Sequence, residues 1–447
     1  MLTSNPIRSI NQLTPAQFLA LCYLAVIVLA TILLMLPAAT VQEGSLDFSA
    51  ALFTATSATC VTGLTVVNTS TAFTLFGQLV IMVLIQIGGL GIMTMSTMIA
   101  FFIGKKISLK ERLIIQEDLN QFKISGLVRL VRYVLAFTLI IEGIGALLLF
   151  FRFNQYPFWK SVYFSVFHSI SAFNNAGFDL FANSLEGFTG DLVLNFVVIS
   201  LIILGGLGFA VLADLYNTRN IKKTSLQTKI VLSISLLLII FGFISILGLE
   251  FTNEATIGEL PFGSKILSSL FLAITPRTAG FNTIPTADLR SSTLFLLIVL
   301  MFIGASPGST GGGIKTTTFG VLIITVWNLV TGKKDIEVFS RQLEKEIIFK
   351  ALSITILALT LVVFVTMVLT ISEKMEFLPV FFETVSAFAT VGLTTGITPE
   401  LSTFGRILLT LTMFAGRVGP LTLALAFADR KKNNGFYHYP KEKIMVG

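Results

Sequence analysis

Leu52-Phe53-Thr54-Ala55-Thr56-Ser57-Ala58-Thr59-Cys60-Val61-Thr62-Gly63-Leu64 lies between two long apolar runs, yet it is too short and too rich in hydroxyls to cross a bilayer itself. Its pattern returns three times. The second copy is Val166-Phe167-His168-Ser169-Ile170-Ser171-Ala172-Phe173-Asn174-Asn175-Ala176-Gly177-Phe178. The third is Leu270-Phe271-Leu272-Ala273-Ile274-Thr275-Pro276-Arg277-Thr278-Ala279-Gly280-Phe281, and the fourth Phe381-Phe382-Glu383-Thr384-Val385-Ser386-Ala387-Phe388-Ala389-Thr390-Val391-Gly392-Leu393. The glycines stand 114, 103 and 112 residues apart. That period is too long for a solenoid. It suits a module of two membrane helices flanking a re-entrant loop.

The rest of the chain fits this module. Of 447 residues, 54% are hydrophobic and 12% charged, against about a quarter charged in soluble domains. Apolar runs lie near 18–36, 74–103, 128–151, 191–213, 230–249, 291–330, 350–371 and 403–428. Several approach the ~20 residues that span a bilayer as a helix. The first is too long for a signal-peptide core and has only Arg8 before it, so it reads as a membrane helix. Between alternate pairs lie the shorter segments 47–58, 160–172, 264–275 and 378–388. Each second helix carries a glycine 24–28 residues after the first: Gly88, Gly205, Gly304 and Gly416. The fold expected is an all-α membrane protein of four pseudo-symmetric helix–pore-loop–helix repeats around one central pore. The repeats cover 1–127, 128–229, 230–349 and 350–447, the last with a cytoplasmic tail.

Charge supplies the orientation. Arg8, Lys105, Lys106, Lys110, Arg112, Lys123, Arg129, Arg132, Arg219, Lys222, Lys223, Lys229, Lys333, Lys334, Arg341, Lys345, Lys350, Arg430, Lys431, Lys432, Lys441 and Lys443 share one side. Arg152, Lys160, Lys265, Arg290, Lys374 and Arg406 are on the other, and Arg277, Lys315 and Arg417 are left at membrane depth. The positive-inside rule then puts both termini in the cytoplasm and lets the short loops enter from outside. Acidic Glu43, Asp47, Asp179, Glu186, Asp191, Glu250, Glu254 and Glu259 fall on the outer side, where they would favour cations. The net charge of +7 is spread over short connections between apolar spans, which points to a membrane and not to nucleic acid. Cys22, Cys60, His168 and His438 have no metal-site or disulfide spacing.

A short helix that stops mid-membrane aims its carbonyl end, with partial negative charge, at the centre. A glycine after it lets carbonyls turn toward a common axis, where rings of them can replace the hydration shell of K⁺. The expected filter is Val61, Thr62, Gly63; Asn175, Ala176, Gly177; Thr278, Ala279, Gly280; and Thr390, Val391, Gly392. None of these is a carboxylate, so selection should rest on backbone oxygens.

Gly304-Ala305-Ser306-Pro307-Gly308-Ser309-Thr310-Gly311-Gly312-Gly313-Ile314-Lys315 interrupts the sixth apolar run. It is no phosphate loop, since Ile314 separates Gly313 from Lys315 and the context is a membrane helix. A Gly- and Pro-rich break at this depth reads as an intramembrane gate over 304–315. Its working residues are expected to be Gly304, Ser306, Gly308, Gly311, Gly312, Gly313, Lys315 and Arg417. Arg417 is costly inside a membrane, by roughly 2.5–3.5 kcal/mol, and should donate to loop carbonyls.

Ser171–Phe178, Thr275–Asn282, the Gly304–Lys315 loop and Gly416-Arg417-Val418-Gly419-Pro420 together resemble the superfamily of K⁺ transporters that includes TrkH, KtrB and plant HKT proteins. The likeness runs from about residue 16 to 430 and is greatest to the bacterial KtrB/KtrD type. The resemblance implies the K⁺-conducting subunit of an uptake system in the bacterial plasma membrane, a homodimer with a pore in each subunit, and often Na⁺ as activator. It also implies a separate cytosolic octameric ring of the KtrA/KtrC type, with ATP or ADP bound on that partner and not on this chain. Some Na⁺-selective relatives have serine where Gly63 stands, and Pro307 departs from the expected loop.

An enzyme would need a nucleophile with its base, or metal ligands, and the isolated histidines offer neither. An alternating-access carrier would often show inverted repeats, whereas these four run in one orientation. A Na⁺-conducting member of the same superfamily is the nearest alternative.

Overall fold

The computed structural model describes residues 14–427 except 42–44, 93, 97–112, 115, 117–126 and 334, together with 440 and 442. Arg8, Glu43, Lys105, Lys106, Lys110, Arg112, Lys123, Lys334, Arg430, Lys431, Lys432, His438, Lys441 and Lys443, which enter the readings above, lie outside the described residues.

Four helices are long and apolar enough to cross a membrane: α1 (Pro15–Leu34), α4 (Leu127–Arg152), α8 (Leu226–Glu250) and α12 (Lys345–Glu373). Each is followed by a shorter helix: α2 (Phe48–Cys60), α5 (Phe158–Phe173), α9 (Phe262–Ile274) and α13 (Phe377–Ala389). Their numbering is completed by α3 (Leu75–Leu90), α6 (Leu192–Gly206), α7 (Phe209–Thr218), α10 (Ser291–Phe302), α11 (Thr316–Val330), α14 (Thr403–Val418) and α15 (Pro420–Phe427). The two-residue strands β1 (Glu337–Val338) and β2 (Arg341–Gln342) form a small antiparallel hairpin.

Length decides what each helix can do. At 1.5 Å per residue, a 13-residue helix such as α2, α9 or α13 is about 20 Å long, against a hydrocarbon core of about 30 Å. These helices cannot span. They are buried instead: from Phe382 to Ala389 every residue of α13 is shielded. The long helices do the opposite. On α4, Leu139, Ile140, Ile144, Leu147, Leu148 and Phe151 are all exposed, and such an apolar surface needs lipid around it. Capping fixes several starts. Thr14 closes a capping box before Pro15, while Asp47, Asp191 and Ser402 accept from the first-turn N–H groups of α2, α6 and α14.

The packing closes on itself. α3 lies against α2 and α5, α6 against α5 and α9, α10 against α13, and α14 against α13 and α2. The last helix of this series therefore touches the first short helix.

The sequence pointed to one interrupted apolar run, the sixth; the structure breaks all four runs that follow a short helix. α3 ends at Leu90, before Gly91 at φ 86°. α6 and α7 meet at 94° across Leu207 and Gly208, and Gly208 has φ 92°. α14 and α15 are separated by Gly419 at φ 94°. The signal was a second glycine three residues after Gly88, Gly205 and Gly416. Pro307 stands at the matching place after Gly304.

Gly88, Gly205 and Gly416 have one purpose in common. A Cβ on any of them would collide with a carbonyl at the end of a short helix: Thr59 O, Phe173 O and Phe388 O respectively. Gly205→Ala should therefore lower the thermal unfolding midpoint in detergent, with overpacking costing about 1–3 kcal/mol. Gly143→Ala on α4, where nothing lies within 4 Å, should leave the midpoint unchanged or raise it.

Candidate functional site

The four short helices end alike. Val61, Asn175, Thr278 and Thr390 all take left-handed backbone, with φ of 58°, 58°, 68° and 51°. For β-branched Val and Thr this is a strained state, and its repetition marks a site under constraint. At α2 the turn is held by Val61 N–H to Ala58 O (3.2 Å) and Thr62 N–H to Ser57 O (2.8 Å). The same two bonds recur at Asn175 and Ala176, and at Thr390 and Val391, with the same lengths. The third turn is tighter by one residue, and Ala279 N–H reaches Thr275 O at 2.9 Å.

Two residues further on, Gly63, Gly177, Gly280 and Gly392 return to positive φ, at 91°, 68°, 73° and 91°. They face one another in chain order. A Cβ on Gly63 would lie 3.0 Å from Gly177 Cα, one on Gly177 3.1 Å from Gly280 Cα, one on Gly280 3.2 Å from Gly392 Cα, and one on Gly392 3.0 Å from Gly63 Cα. The nearest atoms to those positions are the carbonyl oxygens of Ala176, Ala279, Val391 and Thr62. The sequence-predicted segments thus converge as a closed ring of backbone with no room for side chains between neighbours.

A set of supporting hydroxyls was missed in the sequence. Ser57 Oγ accepts from Gly63 N–H and Ser386 Oγ from Gly392 N–H, each at 3.1 Å. Ser171 Oγ instead donates to Phe178 O at 2.7 Å, and Thr275 Oγ1 to Phe281 O at 2.5 Å. Their signal was a Ser or Thr four residues after the repeated Phe53, Phe167, Phe271 and Phe382. Two further side chains, each one residue after that Phe, hold the segments beyond the ring. His168 Nε2 accepts from Leu180 N–H at 3.3 Å, and Glu383 accepts from Thr398 Oγ1.

The Gly304–Lys315 loop packs against this ring. Gly312 N–H donates to Thr390 Oγ1 at 3.1 Å, and a Cβ on Gly311 would collide with Thr278 Oγ1. The loop is tied to the α6–α7 break by Ser306 N–H to Gly206 O (3.1 Å), Thr310 N–H to Gly205 O (3.4 Å) and Phe209 N–H to Gly308 O (2.9 Å). Gly308 and Gly313 supply its positive-φ turns. Gly304 is pressed against Gly312 O, so a side chain there would dislodge the loop. Ser306 Oγ accepts from Thr316 Oγ1 at 3.0 Å. Lys315 Nζ donates to Gly311 O at 2.7 Å. Arg417 bridges two elements, donating through Nη1 to Thr310 O and through Nη2 to Gly88 O. Arg277, left without a role by the sequence, is buried; its Nη2 lies 3.4 Å from Ser235 O, beside a cavity of about 30 Å³ lined also by Ala305, Ser306 and Thr316.

Several of the acidic residues expected on the outer side have structural duties. Asp47 and Asp191 cap helices, and Asp191 pairs with Arg152. Glu250 is buried and accepts from Asn253, Thr256, Arg290 N–H and Thr293. Asp179 and Glu186 follow the second turn, and burial pushes both carboxyls above their ordinary range. Among the described residues no group of three or more His, Cys, Asp or Glu is placed to hold a metal ion.

A family model described as a cation transport protein, TrkH, matches residues 7–436. The chain belongs to the TrkH family. It is 45% identical over 435 residues to the Ktr system potassium uptake protein B of Bacillus subtilis, covering 97% of both chains. Protein D of the same system and organism is 41% identical, with 98% of this chain and 99% of that one covered. The potassium/sodium uptake protein NtpJ of Enterococcus hirae is 39% identical, with 98% of each covered. The crystal structure of the potassium transporter TrkH from Vibrio parahaemolyticus superposes with a TM-score of 0.69 at 18% identity, covering 91% of this chain and 84% of that one, which establishes a common fold. TrkH-family proteins are membrane transporters and not enzymes, consistent with the long apolar helices here.

Arg417 joins the loop to α3 through Thr310 O and Gly88 O. Arg417→Gln should speed hydrogen–deuterium exchange of the Thr310–Gly313 amides by about tenfold or more, the scale of one lost charge-assisted bond.

Proposed function

We propose that this chain is the ion-conducting membrane subunit of a potassium uptake system, with K⁺ selected by the backbone carbonyls of the glycine ring. The observation that carries this reading is the closed sequence Gly63, Gly177, Gly280, Gly392, in which each glycine abuts the next and the carbonyl before it. Such an arrangement offers oxygen dipoles and no carboxylate, the chemistry that replaces water around K⁺. Val61, Asn175, Thr278 and Thr390 form the inner end of the filter in this reading. The four helix–loop–helix units, 1–127, 128–229, 230–349 and 350–447, are pseudo-symmetric quarters about one pore. Potassium uptake in the names of the Bacillus subtilis relatives supports the ion; the name of the Enterococcus hirae relative admits Na⁺ as a second cargo or activator.

The Gly304–Lys315 loop is the gate of this pore. It sits against Thr278 and Thr390; Arg417 ties it to α3, and Lys315 braces it from within through Gly311 O. Regulation comes from a separate cytosolic ring that binds ATP or ADP, and the membrane subunit is a homodimer in the bacterial plasma membrane with both termini cytoplasmic. The names of the Ktr-system relatives support a multi-component assembly.

In a cell lacking K⁺ uptake, the chain expressed with a candidate ring subunit should restore growth at low K⁺; no K⁺ uptake with any such partner would count against the function. Gly63→Ser should lower K⁺ preference over Na⁺, because its side chain would meet Ala176 O and Gly177 Cα. Deleting Gly308–Gly313 should raise K⁺ flux, and unchanged or lower flux in folded protein would remove the gate.

A further inference from the structure

Glu142 is an acidic residue in the middle of the spanning helix α4, 8% exposed, and the site described above makes no use of it. Its two oxygens are both engaged. Oε1 accepts from Asn174 Nδ2 at 2.9 Å, and Oε2 accepts from Gln86 Nε2 at 3.3 Å. Asn174 Nδ2 also faces Gln86 Oε1 at 3.1 Å and Ile170 O at 2.9 Å. The backbone carbonyl of Glu142 accepts from Ser169 Oγ at 2.7 Å. Three side chains from α3, α4 and the end of α5 therefore close a triangle inside the protein.

Each corner leads to the ion site. Asn174 caps the C-terminus of α5 and immediately precedes Asn175, the strained left-handed residue of the second turn. Gln86 stands two and three residues before Gly88 and Gly89 on α3. Gly88 O receives Arg417, and a Cβ on Gly89 would collide with the Asn174 side chain. Glu142 thus lies behind both the second filter segment and the step of α3 on which the gate arginine rests. Among the described residues the other three turns show no equivalent acid contact: the residues matching Asn174 are Cys60, Arg277 and Ala389. Ionisable side chains within membrane helices are rare, and one at this depth marks a functional position.

We propose that Glu142 is a positioning residue for ion selection: by accepting from Asn174 and Gln86 it fixes the second filter segment against α3. The inference rests on the glycine ring being the K⁺ filter. An outer-shell partner of this kind acts as it does around metals, by orienting ligands it does not itself supply.

The test is the K⁺ to Na⁺ flux ratio of the full chain in proteoliposomes, compared among Glu142→Ala, Glu142→Gln, Asn174→Ala and Gly177→Ser. Glu142→Ala and Asn174→Ala should each lower the ratio by roughly tenfold, the loss typical of outer-shell partners, and the double variant should be no worse than either. Glu142→Gln should restore part of the ratio, since its amide oxygen can still accept from Asn174 while its NH2 meets the Gln86 donor. An unchanged ratio in Glu142→Ala, with Gly177→Ser altered, overturns the positioning role and leaves the filter standing. Glu142→Gln as impaired as Glu142→Ala also overturns it. An unchanged ratio in Gly177→Ser removes the filter reading itself. Should Glu142→Ala fail to fold, Gln86→Leu is read instead: it removes one donor, a lowered ratio supports the role, and an unchanged one overturns it.

Discussion

Four backbone segments meet at Gly63, Gly177, Gly280 and Gly392 with Cα atoms too close to admit a methyl group between neighbours. Non-helical backbone at membrane depth has to be enclosed by protein or face a watery path, and these segments are enclosed by protein. Every segment must leave its short helix through a left-handed residue to reach the centre. Every short helix must be held from outside so that its end points inward. The burial of α2, α5, α9 and α13, their hydroxyl supports, and the glycines of α3, α6 and α14 that let neighbouring helices approach their last carbonyls all follow from that meeting point.

The third quarter departs from the others for a physical reason. Gly88, Gly205 and Gly416 each rest on a short-helix carbonyl, but Gly304 rests on Gly312, within the inserted loop. α10 stops at Phe302, before Gly304, and the loop follows in place of a continued helix. Its carbonyls and amides need partners, and they find them in the broken ends of α6, in Thr390, and in two cations. Arg417 and Lys315 are expensive at this depth only when unpaired; directed at carbonyls, they replace the hydrogen bonds that an interrupted helix loses. On the proposed function, the gate is held by bonds that moderate energies can exchange.

The sequence displayed the parts whose signal is local. Apolar runs gave the long helices, and a small-residue repeat ending in glycine gave the short ones close to their observed limits. The broken second helices were less visible because Gly91, Gly208 and Gly419 look like ordinary small residues in apolar runs until their three-residue offset from the preceding glycine is noticed. Ser57, Ser171, Thr275 and Ser386 were hidden for another reason. A serine in a membrane helix is common, and its meaning here lies in a bond to backbone six or seven residues away across a turn. Glu142 and Asn174 are 32 residues apart, and only the packing of α4 on α5 brings them together.

One chain that supplies all four quarters can vary each separately, and this one does. In the first and fourth turns the hydroxyl accepts from the glycine N–H, and φ at the glycine is 91° in both. In the second and third the hydroxyl donates to the next carbonyl, and φ falls to 68° and 73°. The ring is thus made of two adjacent pairs, not four equal quarters. The loop presses on the third and fourth turns, while Glu142 stands behind the second. A ring of four identical subunits would have to carry a loop and an acid at every quarter, crowding the axis and multiplying the cost of buried charge. On the proposed function, division of labour among unequal turns keeps the glycine positions alike where carbonyls act together and concentrates the costly residues where a single contact suffices.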